Sequence, residues 1–242
     1  MVVDPAANTE KNQKILIERL SEFQPSAVFL THHHHDHIGS ATLLREHFDI
    51  PIIAHKLTDE LVHFPVDKQV DEGHHFTHGG DTWTAIHTPG HAPGHLCLIS
   101  NADQSLIAGD MVAGEGTILI NPSEGSIREY IHSLHRLRTF APSRLLPAHG
   151  GALDNADELL QEYISHRKNR LMQIWKHLSE TPQSSLDLAA RIYTELPKAY
   201  LGMAAIQVHC GLLFLEQDSA VQKVKSPENG WVRSQTDYSI TI

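Results

Sequence analysis

Cysteine is nearly absent, with only Cys97 and Cys210 in 242 residues. No disulfide framework can be built from two cysteines that both lie in apolar segments, and both are expected to be core side chains. No apolar run approaches the roughly 20 residues that span a bilayer. The N-terminus, "MVVDPAANTEK", lacks the charged start and apolar core of a secretion signal. These absences make the cytoplasm the default expectation and argue against a membrane partner. Basic charge is also scarce, with 19 Lys and Arg against 29 Asp and Glu and a formal net charge of −10. A broad basic face for nucleic acid is therefore not evident. There is no internal repeat and no low-complexity tract.

Histidine is plentiful, with 20 residues, and it is the commonest metal ligand. Four stand together in "THHHHDHIGS", Thr31 to Ser40. A tag remnant would sit at a terminus. Here the strand-like "SAVFLT" leads in, and "IGSATLLREHF" follows as a helix that Ser40 could cap. The run thus falls where a strand ends and a helix begins, a place where functional groups gather in layered folds.

The first two thirds of the chain alternate strand-like and helix-like segments. "NTEKNQKILIERLSEF" reads as an amphipathic helix and "PIIAH" as a short strand. Trp83–Thr88, Leu96–Ser100 and Ser105–Asp110 read as closely spaced strands, which favours antiparallel neighbours. "SIREYIHSLHRLRTF" is expected to be a helix opened by a capping box, Ser126 with Glu129. "SRLLPAHGG" is a strand running into a glycine turn. Past Gly151 the pattern changes to a long helix over Asn155–Glu180, two more helices, and a hairpin with Asn229-Gly230 in its turn. This predicts two domains, 1–154 and a helical, winged-helix-like 155–242.

Within the histidine run, His32, His34, Asp36 and His37 have the spacing H-x-H-x-D-H. Residues two apart in extended chain project to one side, so His32 and His34 can reach one point. Asp36 and His37 can reach a second point as the chain turns. Imidazole and carboxylate suit zinc, iron or manganese. His33 and His35 should point elsewhere, as rim side chains. His91 in "HTPGHAPGH", Asp110 in "IAGD" and His149 in "LLPAHGG" each follow a strand.

On "VVDP", "HHHHDH", "TPGH", "GDMVAGEGT" and "LLPAHGG", the chain resembles the metallo-β-lactamase superfamily from Met1 to about Gly151. With its C-terminal helices it is similar to the β-lactamase-like protein 2 group within it. The resemblance implies an α+β fold, an αββα sandwich with a two-metal site at one edge. It implies His32, His34 and His91 around one ion, Asp36, His37 and His149 around a second, and Asp110 between them. Two divalent ions, zinc foremost, would activate a hydroxide that Asp36 orients. Asp4 and His95 are expected to support the ligands from behind. Relatives of this kind carry further strands before the "VVDP" segment; the reading here is that these are missing and that a sheet edge is exposed.

The leading expectation is a metal-dependent hydrolase of a small ester or thioester. One alternative is an endoribonuclease on single-stranded RNA, for which "HRLRTFAPSR" and "HRKNR" are the candidate basic tracks. Another is a truncated, catalytically impaired metal-binding protein. A β-lactam substrate is not expected. The tail is expected to serve as a cap or in homo-oligomerisation, since Met203–Ser219 holds no Lys or Arg. His55, His63, His74, His75 and His78 are expected to be solvated loop residues, and Glu115 either touches substrate or closes a turn.

Overall fold

The structure is a computed structural model and describes residues 1–78, 80–224 and 230–240. The elements run β1 (Val2–Val3), α1 (Glu10–Ser21), β2 (Val28–Phe29), α2 (His35–Ile38), α3 (Ala41–Phe48), β3 (Ile52–His55), α4 (Lys56–Asp59) and β4 (Lys68–Val70). Next come β5 (His75–His78), β6 (Asp81–His87), β7 (Leu96–Ser100), β8 (Ser105–Gly109), α5 (Ile127–Thr139) and β9 (Arg144–Pro147). The remainder is α6 (Ala156–His177), α7 (Ser185–Ile192), α8 (Leu201–Gln217), β10 (Val221–Val224) and β11 (Gly230–Arg233).

Strands β1 to β4 form a parallel sheet in that order. Strands β5 to β9 form a second sheet, antiparallel through β8, with β9 parallel to β8. The two-residue period of a strand then sorts the apolar side chains into layers. Phe29, Ile53, Leu96 and Leu98 meet between the sheets. Val28, Leu30, Ile52 and Ala54 pack under Leu16 and Leu20 of α1 and Leu44 of α3. On the far face of the second sheet, Ile86, Cys97, Ile99 and Leu106 pack against Tyr130 and Leu134 of α5. The result is the αββα layering, and the closely spaced strands are antiparallel as expected.

The same outer cluster continues past Leu160 and Ile174 of α6 to Val208 and Leu212 of α8 and Trp231 of β11. One apolar core therefore crosses the change of composition near residue 154. The helices and the closing hairpin follow the expected order; Asn229 of the turn lies outside the described residues.

Several local expectations need correction. Lys198–Gln217 is a helical run long and apolar enough to cross a membrane by length and composition, with mean hydropathy 1.3. Its C-terminal part packs into the core through Val208, Leu212, Phe214 and Leu215, while Tyr200, Met203 and Ile206 nearer its start are exposed. The long helix ends at His177, short of Glu180. Ser126 accepts from the Glu129 amide, but the reciprocal box forms at Ser184 and Asp187. Ser40 precedes α3 without capping it, because its hydroxyl is taken by the Ala7 carbonyl. His55 is buried at the end of β3, stacked on His87 with ring centroids 4.5 Å apart.

Two glycines are demanded by close approach. Gly109, at φ +51°, ends β8, and a Cβ there would sit 2.5 Å from His95 Nε2. Gly90, at φ +126°, lies against α5, where a Cβ would come within 2.1 Å of the Tyr130 nitrogen. Gly90→Ala combines that clash with an unfavourable φ. It is expected to cost at least about 2 kcal/mol, read as a lower urea midpoint. An unchanged midpoint would mean that α5 is not packed this closely.

Candidate metal centre

All seven candidate ligands converge at the ends of β2, β6, β8 and β9. The chain leaves β2 extended, which brings His32 and His34 to one side. It then winds into α2, a four-residue helix that the sequence reading missed, and this turn carries Asp36 and His37. His91 comes from the loop after β6, Asp110 follows Gly109 directly, and His149 follows β9.

His32 Nε2, His34 Nδ1 and His91 Nε2 lie 2.9 to 3.2 Å from one another. The outer nitrogen of each ring is held by an oxygen. His32 Nδ1 lies 2.9 Å from Thr31 Oγ1, whose own proton goes to Asp4 Oδ2 at 2.6 Å. His91 Nδ1 donates to the Leu119 carbonyl at 2.8 Å. His34 Nε2 lies 3.2 Å from Glu124 Oε1. With protons fixed on the outer nitrogens, three lone pairs face one point. Burial, together with the neighbouring histidines, holds the His32 pKa well below its usual value. Burial also lowers that of His91 to about 4, against the opposing charge of Asp110. Protonating these nitrogens is therefore not the way to relieve their repulsion; a shared divalent cation is, and the spacing suits one.

A second group faces the first across Asp110. Asp110 Oδ2 is 3.4 Å from His91 Nε2, while Oδ1 is 3.6 Å from His37 Nε2 and 3.5 Å from His149 Nε2. Asp36 Oδ2 is 3.6 Å from His149 Nε2 and 3.9 Å from His37 Nε2. These separations are long for hydrogen bonds and suit donors on a common cation. Consistent with that, His37 Nε2 and Asp110 Oδ1 are buried without hydrogen-bond partners. Orphaned buried polar atoms of this kind call for an explanation, and a cation between them is one that fits the donor set.

Asp4 and His95 brace this arrangement. Asp4 accepts from the Thr31 amide at 2.7 Å, from the Thr31 hydroxyl, and from His37 Nδ1 at 2.9 Å. His95 is fully buried; its Nε2 accepts the Asp110 amide at 3.1 Å, and its Nδ1 lies 2.8 Å from Thr88 Oγ1. His35 projects into solvent as expected, 91% exposed at the side chain. His33 is more than a rim residue: its Nε2 sits 2.7 Å from Glu124 Oε2. Glu124 thus holds both His33 and His34, and sequence reasoning missed it. The singled-out acid, Glu115, is exposed. A cleft of about 340 Å³ opens on Asp36, His37 and His149.

Such a fold, with a histidine- and aspartate-lined centre at one edge of the sandwich, defines a metal-dependent hydrolase class. Residues 1–149 match the metallo-beta-lactamase superfamily, and the chain belongs to that superfamily of hydrolases. It is 30% identical over 218 residues to a beta-lactamase-like protein 2 homolog of Drosophila melanogaster, covering 83% of this chain and 72% of that one. It is 27% identical over 177 residues to an atrochrysone carboxyl ACP thioesterase of Aspergillus fumigatus, covering 72% of this chain and 54% of that one. A beta-lactamase domain protein from Burkholderia ambifaria has the same fold, with TM-score 0.85 at 21% identity over 96% of this chain and 81% of that one.

Two outcomes follow from the hydrogen bonds. Burial alone would lower the His37 pKa, but the hydrogen bond to Asp4 and the nearby charges of Asp110 and Asp4 override it and raise it to about 10. His37 is then protonated at neutral pH in the metal-free chain and must lose that proton to become a ligand. Zinc titration at pH 7.5 in buffers of different ionisation enthalpy should show release of about one proton from this residue, with affinity rising as pH rises. A buffer-independent heat would contradict it. Separately, Asp4→Ala should weaken zinc binding about 10- to 100-fold in chelator competition, and unchanged affinity would show that Asp4 does not orient the ligands.

Proposed function

We propose that this chain is a two-metal hydrolase of small esters or thioesters. The observation that carries the reading is the placement of Asp110, with one oxygen turned to His91 and the other to His37 and His149. His32, His34 and His91 would hold one ion, Asp36, His37 and His149 the other, and Asp110 both. Zinc suits these donors best, with iron or manganese as alternatives. When bound, such ions lower the pKa of water towards about 7 and neutralise charge on the oxygen of the group under attack.

The chain's own groups do the rest. Asp36 is about half exposed and faces the cleft, where it orients the attacking water and accepts its proton. Glu124, Asp4, Thr31 and the Leu119 carbonyl keep the ring nitrogens pointed inward. Neither thiol competes as a nucleophile: burial pushes Cys97 up to about 12 and Cys210 up to about 11. This supports direct hydrolysis without a covalent intermediate.

A relative named as a thioesterase supports the thioester substrate. Of the two basic tracks offered for RNA, "HRLRTFAPSR" is spent on internal pairs. Arg136 faces Glu72, Arg138 faces Asp157 and Arg144 faces Asp154. Surface arginines committed in this way leave little to follow a phosphate backbone.

The test is elemental analysis of tag-free protein beside turnover of a short acyl thioester and of a single-stranded oligoribonucleotide. We expect about two divalent ions per chain and thioester turnover. In Asp110→Ala, metal content should fall, and turnover should drop by about a hundredfold to a thousandfold or more. Full activity of that variant at trace metal would sink the two-metal reading. RNA cleavage without thioester turnover would move the substrate class to phosphodiesters.

A further inference from the structure

A more apolar cavity lies apart from the cleft at the metal centre. This cavity, of about 460 Å³, lies between the Thr117–Leu119 segment, α6, α8 and the α7–α8 connection, within the size range of small-molecule sites. Its walls include Ile118, Leu171, Ile174 and Ala204. Exposed apolar surface gathers at it. Of nine exposed large apolar side chains among the described residues, Leu119, Leu196, Tyr200 and Met203 line this cavity. An exposed apolar patch concentrated on a concavity marks a binding site rather than scattered surface.

The charged groups of the cavity are two arginines. "HRKNR" places His166, Arg167 and Arg170 along it. Of the eight arginines elsewhere in this acidic chain, five, Arg45, Arg128, Arg136, Arg138 and Arg144, each face a carboxylate within 4.0 Å. Among the described residues, no carboxylate lies within that distance of Arg167 or Arg170. Arg167 donates to the Ile118 carbonyl at 2.6 Å and so fixes the wall. Arg170 donates to Gln173 Oε1 and lies 4.1 Å above the Tyr193 ring. Two half-buried guanidiniums beside an apolar hollow, in a chain of net charge −10, lack the counter-anion that such burial favours.

We propose that this cavity binds an amphipathic carboxylate, with its apolar chain against Leu171, Ile174 and Ala204 and its carboxylate on Arg170. The site is separate from the metal ligands yet adjoins them, because Leu119 of its wall accepts the His91 Nδ1 proton through its carbonyl. The inference goes beyond the hydrolase reading and does not need turnover to be tested.

The experiment is calorimetric titration of the metal-loaded full chain with dodecanoate, with dodecanol and butyrate as controls. Butyrate reports carboxylate binding at the metal centre, and dodecanol reports the apolar term alone. The expected result is saturable binding near one dodecanoate per chain, at least about tenfold tighter than either control. Arg170→Ala should weaken it at least about fivefold. Met203→Glu places a like charge at an exposed position on the cavity and should do the same without touching the core. Circular dichroism verifies that both variants fold. No dodecanoate binding, binding that butyrate or dodecanol matches, or binding indifferent to both substitutions would overturn the proposal. So would Arg170-dependent binding of a single-stranded oligonucleotide in the absence of dodecanoate binding. Loss of thioester turnover with dodecanoate binding intact would count against the hydrolase reading alone.

Discussion

Imidazole lone pairs about 3 Å apart repel one another, and most of the surrounding structure serves to keep them there. Asp4 is central to this. Its two oxygens accept from the Thr31 amide, the Thr31 hydroxyl and His37 Nδ1, and through Thr31 they also fix His32. One carboxylate therefore ties the edge strand to both ligand groups. To reach them, Asp4 adopts φ +47°, a left-handed conformation that aspartate tolerates better than most residues. Glu124 performs the same service for His34 from the opposite side. Such an arrangement is costly to hold without a cation, so metal binding and folding stability are coupled in this chain.

Much of the centre was legible in the sequence because strand geometry is regular. The H-x-H-x-D-H spacing places alternate side chains on one side, and His91, Asp110 and His149 each follow a strand whose apolar pattern is plain. The supporting groups were less legible. Asp4 was expected from the family resemblance and His95 from its place four residues after His91 in a glycine-proline loop, whereas Glu124 lies 90 residues from His34 in a loop with no period to read. Helix α2 is four residues long, too short to show a repeat. Lys198–Gln217 was misjudged because His209 and Gln207 interrupt a run whose average is nonetheless apolar. His55 looked like a loop histidine because its stacking on His87 joins residues 32 apart in the chain.

The segment between Met111 and Gly125 gathers contacts from nearly every neighbouring element. Tyr130 donates to the Met111 carbonyl, Tyr163 hydrogen-bonds both the amide and the carbonyl of Ala113, and Gly114 donates to the His149 carbonyl. Irregular backbone held by these partners is tied into the fold on several sides.

Leu119 and Ile120 show where this leads. The Leu119 carbonyl holds His91, while the next residue is held by the tail: the Gln207 side chain bonds both the amide and the carbonyl of Ile120, and Cys210 Sγ donates to that same carbonyl. The Leu119–Ile120 peptide unit thus serves His91 through its carbonyl and α8 through its amide. The C-terminal helices are therefore not a passive appendage. A change on the face of α8 at Gln207 or Cys210 has a two-residue path, Ile120 and Leu119, to the ring of His91, so tail and centre form one mechanical unit.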